Sequence, residues 1–248
     1  MRIDLNADLG EGCGDDLALL GLVTSANVAC GFHAGDPALI ARTVSAAAKA
    51  GVVVGAHPSF PDREGFGRRA MQQPPDAVHA DVLSQVGALQ AACRAHGVRL
   101  AHVKPHGALY NQAAVEPELA FAIARAVRDA DPGLVLVGLA SSRPMREAAE
   151  AHGLRFAAEA FADRRYEPDG TLAPRQATGA LITSAADAAA QAVRIATRGE
   201  VMAADGSIVG LSADTLCLHG DTPGAVELAR AVRGALLASG VTLASVPT

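Results

Sequence analysis

Short apolar segments alternate with longer helical segments along the whole chain, and this alternation limits the possible folds more than any other feature. The first helix has clear boundaries, because Asp36-Pro37 is a typical helix start and Gly51 a typical helix end. The sequence predicts helices at about 36–51, 76–97, 116–133, 144–153, 184–199 and 222–240. It predicts strands at 2–6, 26–29, 52–56, 99–103, 134–139, 155–159 and 215–218, with a weaker eighth at 241–243.

Strict alternation of strands and helices favours a parallel sheet, either doubly wound or closed into a barrel. The strand segments lack polar alternation, which is typical of strands buried on both faces. A length of 248 residues suits one α/β barrel, a fold that runs to about 250 residues. Asp205-Gly206, between apolar neighbours, predicts a hairpin inserted near 200–210. Since no low-complexity linker divides the chain, we expect a single β/α barrel domain over residues 1–248.

Composition excludes several classes of protein. Hydrophobic residues make up 50% of the chain and charged residues 19%, which excludes disordered and fibrous proteins. A net charge of −5, without a basic cluster, argues against binding to nucleic acid or to an anionic membrane. The four cysteines are scattered, no apolar stretch is long enough to cross a bilayer, and no signal peptide is recognisable. We therefore expect a reduced, cytoplasmic protein.

Unusual polar residues cluster at or just after the carboxyl ends of the predicted strands, whereas the joints that enter the strands are plain. In a parallel α/β fold the carboxyl ends meet at one rim, where active sites form. The sequence therefore predicts an enzyme with its site at this rim. The candidate residues are Asn6, Asp8, Glu11, His33, His57, Arg63, Lys104, His106, Tyr110, Glu159, Arg164, His219 and Asp221.

The first strand carries polar residues at every second position, namely Asp4, Asn6 and Asp8. An extended backbone points these side chains to one face, which we expect to be the barrel interior. A buried carboxylate is costly unless it is paired, hydrogen-bonded or bound to a metal. For Asp4, a structural role and a functional one stay equally open, whereas Asp8 and Glu11 lie at the mouth, which favours function.

Five of the eight histidines lie at predicted strand ends or in mouth loops, and this convergence exceeds what a core requires. Such histidines could ligate a metal with Asp8 or Glu11, or could act as acids, bases and hydrogen-bond donors. The chain has no HExxH segment or similar ligand spacing, so both uses stay open. The metal candidates are Asp8, Glu11, His57 and His106.

The basic residues of the predicted rim differ in how specific a role their sequence context indicates. Only Lys49 and Lys104 are lysines among 21 basic residues, so Lys104 is expected to be present for its compact ammonium group. Arg63, Arg68 and Arg69 lie in a glycine-rich loop, where they could bind a phosphate or carboxylate or could be solvated charges.

Five segments together resemble the LamB/YcsF family, whose members were formerly called lactam utilization proteins. The similarity extends in order over essentially the whole chain. The segments are Asp4-Leu5-Asn6-x-Asp8-x-Gly10-Glu11, Asn27-x-Ala29-Cys30-Gly31-Phe32-His33-Ala34-Gly35-Asp36, Gly55-Ala56-His57-Pro58-Ser59-Phe60-Pro61-Asp62, His102-Val103-Lys104-Pro105-His106-Gly107-Ala108-Leu109-Tyr110-Asn111 and Cys217-Leu218-His219-Gly220-Asp221.

This resemblance implies an irregular seven-stranded β/α barrel similar to the glycoside hydrolase/deacetylase barrels. It also implies ATP-dependent hydrolytic opening of the lactam 5-oxoproline to L-glutamate, together with 5-oxoprolinase subunits B and C. The expected cofactor is ATP, and a divalent cation, either Mg²⁺ or a transition metal, stays open.

Opening a lactam requires cations, a group that activates water, and donors for the developing oxyanion. We accordingly divide the rim residues into two sets of candidates. The catalytic candidates are Asp8, Glu11, His33, His57, Lys104 and His106. The substrate-binding candidates are Asn6, Arg63, Tyr110, Glu159, Arg164, His219 and Asp221.

Two other functions fit the same residues. One is a metal-dependent amide hydrolase or deacetylase that needs no ATP. The other is a non-catalytic ligand-binding or regulatory subunit, because the glycines at 10–14 are not followed by the Gly-Lys-Ser/Thr of a phosphate loop. ATP dependence of lactam turnover and ligand binding by the isolated chain distinguish these hypotheses.

Overall fold

The computed structural model describes residues 1–222 and 224–246. Within them the strands are β1 (Arg2–Leu9), β2 (Ser25–Ala29), β3 (Val53–His57), β4 (Leu100–Val103), β5 (Val135–Leu139), β6 (Arg155–Phe161), β7 (Glu200–Met202), β8 (Ile208–Gly210), β9 (Thr215–His219) and β10 (Thr242–Leu243). The helices are α1 (Asp16–Leu20), α2 (Pro37–Ala50), α3 (Pro75–Ala95), α4 (Gly107–Ala113), α5 (Pro117–Ala130), α6 (Arg143–Ala151), α7 (Ala185–Arg198) and α8 (Ala225–Ala238).

Seven parallel strands form a closed barrel in the order β1-β2-β3-β4-β5-β6-β9, and β9 pairs back onto β1. This confirms the predicted seven-stranded β/α barrel. The closing register places Asp8 opposite His219 on one side and Asn27 on the other. The weak last strand, β10, pairs in parallel with β1 at Arg2 and Ile3. Strands far apart in the chain therefore bring their polar residues to one rim.

Strand β1 has the alternation that its sequence predicts. Ile3 and Leu5 belong to the hydrophobic core shared with the surrounding helices. Asp4, Asn6 and Asp8 are also buried, but they hydrogen-bond to polar side chains of other barrel strands. The barrel interior is consequently polar along this strand from its middle to its mouth.

The helices begin and end where local chemistry favours it. The Asp36 carboxylate accepts a hydrogen bond from the Leu39 amide at the start of α2. Gly51 ends that helix with a φ of 68°, a left-handed conformation that glycine adopts without strain. Ser184 caps α7 in the same manner as Asp36 caps α2. These signals explain why the predicted helix boundaries lie close to the observed ones.

Three features differ from the prediction or lie beyond it. Strand β1 extends to Leu9, so Asp8 lies within the strand rather than after it. Helices α1 and α4 were not predicted, because five and seven residues are too few for a periodic pattern to be recognised. Pro223, a predicted start of the last helix, lies outside the described residues.

Strands β7 and β8 form an antiparallel hairpin around Asp205-Gly206.

None of the helices in the described part of the chain combines the length and apolar character needed to span a membrane.

Candidate active site

A pocket of about 440 Å³ opens at the carboxyl rim of the barrel. Its walls come from the mouths of several strands and from the loop that follows β6. Its acid–base residues are Asp8, His57, Lys104, His106, Tyr110 and His219. An arginine cluster, Arg68, Arg164 and Arg175, lines the same pocket, together with Leu172, Pro174 and Leu181. The pocket therefore combines carboxylate and imidazole groups with three guanidinium groups.

Asp8 is the carboxylate among the pocket's acid–base residues, and it is 4% exposed. Its Oδ1 accepts hydrogen bonds from Lys104 Nζ at 2.8 Å and from Asn27 Nδ2 at 2.9 Å, while Oδ2 lies 3.4 Å from His57 Nε2. Burial alone would raise the Asp8 pKa, but His57 and Lys104 outweigh it and hold the pKa well below its usual range. Asp8 is therefore ionised at neutral pH.

Lys104 contributes its ammonium group to the barrel interior. Nζ lies 2.8 Å from Asp8 Oδ1, 3.0 Å from Glu159 Oε1 and 3.0 Å from Cys217 Sγ. Burial would lower the Lys104 pKa, but Asp8 and the other partners raise it well above its usual value. An ammonium group has three hydrogens, and three acceptors surround this one. Lys104 therefore fixes Asp8 and Glu159 in place.

Two buried asparagines connect these groups across the barrel. Asn6 donates to Glu159 Oε1 at 3.0 Å, and its own oxygen accepts from Asn27 at 2.7 Å. Asn27 Oδ1 in turn lies 2.7 Å from His102 Nε2. Gly55 leaves room for the His102 ring, because a Cβ there would lie 2.0 Å from Nε2. The network holds both carboxylates in single orientations.

His57 and His106 are each anchored to a backbone carbonyl. His57 Nδ1 lies 2.8 Å from the Lys104 oxygen, and His106 Nε2 lies 2.9 Å from the Phe66 oxygen. A carbonyl only accepts hydrogen bonds, so these two ring nitrogens carry the protons. The other two nitrogens, His57 Nε2 and His106 Nδ1, face each other at 3.0 Å. In the neutral rings both are lone-pair nitrogens, which can share one proton or bind one cation.

Glu11 and His33 lie behind this histidine pair. The His33 ring stacks on His106 at 3.8 Å, and its Nε2 lies 3.2 Å from Glu11 Oε1. Burial, followed by His57, lowers the pKa of His33 to about 2, and burial also holds the His106 pKa well below its usual value. Burial, with Asp8 and Asp221, raises the Glu11 pKa well above its usual value. These groups therefore favour their neutral forms.

The same nitrogens and carboxylate meet the requirements of a metal site. One ligand atom from each of Glu11, His33, His57 and His106 lies within 4.8 Å of the others. Two nitrogens bound to one tetrahedral Zn²⁺ at about 2.0–2.1 Å would be about 3.3–3.4 Å apart, so the 3.0 Å between His57 Nε2 and His106 Nδ1 would have to widen by a few tenths of an ångström. Metal-binding histidines usually donate their second N–H to a carbonyl or carboxylate, as His57 and His106 do here. The donor set therefore fits a divalent transition metal.

The loop that covers His106 is strained. Phe66 has a φ of 55°, and its ring contacts both His33 and His106 edge-on at 5.6 Å. Gly67 cannot be replaced without movement, because a Cβ there would lie 2.8 Å from His106 Cδ2 and 2.9 Å from His33 Cβ. The loop thus holds the Phe66 carbonyl against His106 and fixes its proton on Nε2.

His219 forms a second acid–base unit with Asp163. Its Nδ1 lies 2.9 Å from Asp163 Oδ2, and its backbone N–H donates to the same oxygen at 3.1 Å. The ring stacks on Phe161, with centroids 5.4 Å apart. A carboxylate that holds Nδ1–H leaves Nε2 free to take a proton, as in the hydrolases that pair histidine with aspartate.

Two members of the arginine cluster pair with Asp221. Its carboxylate accepts from Arg68 at 2.6 Å and from Arg175 at 3.0 and 3.2 Å. Arg164 is 4% exposed and donates through Nη2 to the Ala173 oxygen at 2.6 Å. Its Nε is buried and has no acceptor among the residues at 1–222 and 224–246.

The structure brings most of the predicted residues together, although not all of them reach the pocket. Arg63 donates to the backbone oxygens of Gly31 and Gly35, so it stabilises the loop after β2 and does not line the pocket. Asp221 lies behind Arg68 and Arg175. Buried Tyr110 lines the pocket, and its hydroxyl has no hydrogen-bond partner of good geometry in the described ranges.

Sequence reasoning named Arg68 as a possible phosphate or carboxylate ligand, but it did not select Arg175, Asn27 or Asp163 as site residues. Asn27 lies in a segment that carries the family resemblance, so its position was an available signal. Arg175 lies in the irregular segment between β6 and α7, where no periodicity or spacing indicates which side chains face the pocket.

Comparison with known proteins gives three matches. The LamB/YcsF family matches residues 3–248. The A subunit of 5-oxoprolinase from Methylococcus capsulatus is 56% identical over 248 residues, covering 98% of this chain and 95% of the relative. A crystal structure of the lactam utilization protein from Thermus thermophilus is similar, with 50% identity, a TM-score of 0.93, and coverage of 99% of this chain and 100% of that one.

A more distant structure shares the fold alone. It is a putative cellobiose-phosphate cleavage protein from Enterococcus faecalis, with 12% identity and a TM-score of 0.56. The match covers 98% of this chain and 97% of that one.

Proposed function

The chain belongs to the LamB/YcsF family, and from this we propose that it hydrolyses the lactam 5-oxoproline to L-glutamate as the A subunit of an ATP-dependent 5-oxoprolinase. The observation that carries the proposal is that ionised Asp8 lies in the pocket between Lys104 and His57, with His219 opposite it in the strand register. The names of the two similar proteins, one the A subunit of a 5-oxoprolinase and the other a lactam utilization protein, support the choice of a lactam.

Opening a lactam requires water to attack a carbonyl carbon that amide resonance makes unreactive. His219, oriented by Asp163, is positioned to accept the proton of that water through Nε2. Tyr110 lines the same pocket, and we assign its hydroxyl, which is buried near Glu159 in the free protein, as the donor to the carbonyl oxygen as negative charge develops there. Together these groups would promote formation of the tetrahedral intermediate.

Collapse of that intermediate requires a proton on the ring nitrogen. His57 and His106 face each other through two lone-pair nitrogens, which can take up one proton from solvent, and ionised Asp8 at 3.4 Å from His57 Nε2 stabilises it. That proton is delivered to the leaving nitrogen when the C–N bond breaks, and His219 returns the proton of the attacking water to solvent. Lys104 acts here as a positioning residue, because its hydrogens are directed to Asp8, Glu159 and Cys217.

ATP enters the proposal through the family alone. The chain contains no Gly-x-x-x-x-Gly-Lys-Ser/Thr segment, and its pocket residues include no phosphate loop. The nucleotide and subunits B and C are therefore treated as components of the assembled enzyme.

The test is glutamate release from 5-oxoproline by this chain with subunits B and C and ATP. We expect release to require every component and to stop when Asp8 is replaced by Asn. Undiminished release with the Asp8→Asn variant, or without this chain, would refute the proposal.

A metal-dependent amide hydrolase that needs no ATP is the second candidate, and the paired nitrogens of His57 and His106 favour it. A cation held by His57, His106, His33 and Glu11 would polarise the carbonyl or lower the pKa of a bound water. Metal titration of the purified chain should then give one tight site that is lost in His57→Gln but kept in the control His96→Gln. Lactam opening without ATP, abolished by a chelator, would favour this candidate over the first.

A further inference from the structure

We propose that Arg68, Arg164 and Arg175 form a carboxylate subsite, and that Arg164 makes the enzyme select acidic lactams over neutral ones. This inference rests on the proposed function and names the residue that selects its substrate. The three guanidinium groups line the same pocket as Asp8, His57 and His219. A ligand in this pocket therefore meets both cations and acid–base groups.

The three arginines differ in their ionic partners. Arg68 and Arg175 share the carboxylate of Asp221. Asp163, whose charge also acts on Arg164, holds His219 through both of its oxygens. No carboxylate of the described residues lies within salt-bridge distance of Arg164. A ligand carboxylate would provide that partner.

Arg164 is the group whose own partners are incomplete. It is 4% exposed, yet its one strong acceptor is a neutral backbone oxygen, that of Ala173. Its Nε is buried without an acceptor in the part of the chain that the structure describes. A buried cation is expected to be paired, and a planar guanidinium pairs best with a planar carboxylate through two parallel hydrogen bonds. Arg164 lines the pocket, so a ligand carboxylate bound there can reach its guanidinium group.

The substrate that fits is a small lactam with a carboxylate on the carbon next to the ring nitrogen. In such a molecule the carboxylate and the ring carbonyl lie on opposite sides of that nitrogen. Binding of the carboxylate at Arg164 would turn the ring carbonyl toward Tyr110 and the acid–base groups. A neutral lactam lacks this carboxylate. It would leave the buried guanidinium unpaired, and a site built for a polar group strongly rejects an analogue that lacks it.

The experiment compares 5-oxoproline with 5-oxoprolinamide, whose carboxamide has nearly the same shape without the charge. We measure kcat/KM for both with the assembled enzyme, and equilibrium binding of both to this chain. Wild type should prefer the acid by about 100-fold or more. In Arg164→Gln this preference should fall at least tenfold through KM for the acid, with the amide unaffected. Arg165→Gln is the control, because the neighbouring Arg165 lines a different surface.

Further outcomes separate the two proposals. Equal turnover of acid and amide by wild type would overturn the subsite while leaving lactam hydrolysis intact. If neither lactam is opened, acid-selective binding that is lost in Arg164→Gln still supports the subsite, and binding without selectivity overturns it. Should Arg164→Gln fail to fold, Arg175→Gln at the partly exposed Arg175 must reduce the preference. Inorganic phosphate that binds more tightly than 5-oxoproline and displaces it would overturn the carboxylate assignment.

Discussion

Asp4 and Asp8 lie four residues apart on the same face of β1, and both are almost completely buried. Asp4 is surrounded by hydroxyl groups, since it accepts from Thr24 at 2.5 Å, Ser25 at 2.8 Å and Thr215 at 2.6 Å. Asp8 is surrounded by groups that carry or can carry positive charge. The same residue type in the same strand therefore has two different electrostatic environments.

The pKa values follow these environments in opposite directions. Burial raises the pKa of Asp4, and the hydroxyl hydrogen bonds only partly oppose it. The Asp8 pKa is held well below its usual range, because His57 and Lys104 outweigh burial. Asp8 thus has a permanent charge at the pocket, whereas Asp4 links strands through neutral donors. The comparison separates a carboxylate suited to chemistry from one suited to structure.

Replacement of each carboxylate by asparagine should give the largest difference in activity between the two positions. We expect Asp8→Asn to lower kcat by about 10²–10⁴-fold, the usual contribution of a positioned acid–base group. Asp4→Asn should lower kcat less than threefold, because Asp4 does not line the pocket. The measurement is glutamate release by the assembled enzyme, with circular dichroism to check folding. Similar losses in both variants would contradict the distinction.

Lys104→Arg should have the next largest effect. A planar guanidinium cannot reproduce the compact contacts of the ammonium with Asp8, Glu159 and Cys217, so activity should fall more than tenfold. Lys49→Arg is the matched control, since Lys49 lies in the last turn of α2 and is exposed. Wild-type rates with Lys104→Arg would exclude Lys104 from any role in positioning Asp8.

The pH dependence of stability should differ between the two asparagine variants. The Asp8 contribution is complete above the pKa of an unfolded aspartate, about 3.9, and is lost as pH falls below it. The effect of Asp4 on stability has the opposite sign, because its pKa is raised in the folded protein. Ionised Asp4 therefore destabilises the folded state, and this cost grows as pH rises above about 3.9. Urea unfolding from pH 3 to 7 should show Asp4→Asn gaining stability relative to wild type with rising pH. The Asp8→Asn deficit should instead shrink below pH 4, and parallel curves would refute the assignment.

Thr215→Val should have the smallest effect. Its hydroxyl donates to Asp4 and accepts from Asn6 at 2.6 Å, so its loss should destabilise the protein by about 1–3 kcal/mol. Activity should change less than threefold, because the partners of Asp8 are untouched. A large loss of activity, measured with the same glutamate assay, would show that the two carboxylates are not independent.

The fold could be predicted because the signals that begin and end its helices and strands lie within a few residues of each boundary. Helix caps such as Asp36 and glycine ends such as Gly51 act over a few residues, and seven apolar strands between them leave few topologies. The short helices α1 and α4 were missed because their stability comes from buried residues such as Leu19 and Leu109 packing against the barrel, rather than from a periodic pattern.

The site was predictable only in part. The gathering of His33, His57, His106 and His219 followed from the rule that carboxyl ends of parallel strands share a rim. Pairings such as Asp163 with His219 depend on side-chain geometry between segments 56 residues apart. The unusual character of Lys104 could be seen in the sequence, but its three acceptors come from three other strands.

A crystal structure of this chain with 5-oxoproline tests the central claim most directly. The pocket should hold the lactam with its carboxylate about 2.7–2.9 Å from the Arg164 guanidinium and its ring carbonyl toward Tyr110 and His219. A lactam bound away from this rim, or held in the pocket with its carboxylate against Asp8, would contradict the account.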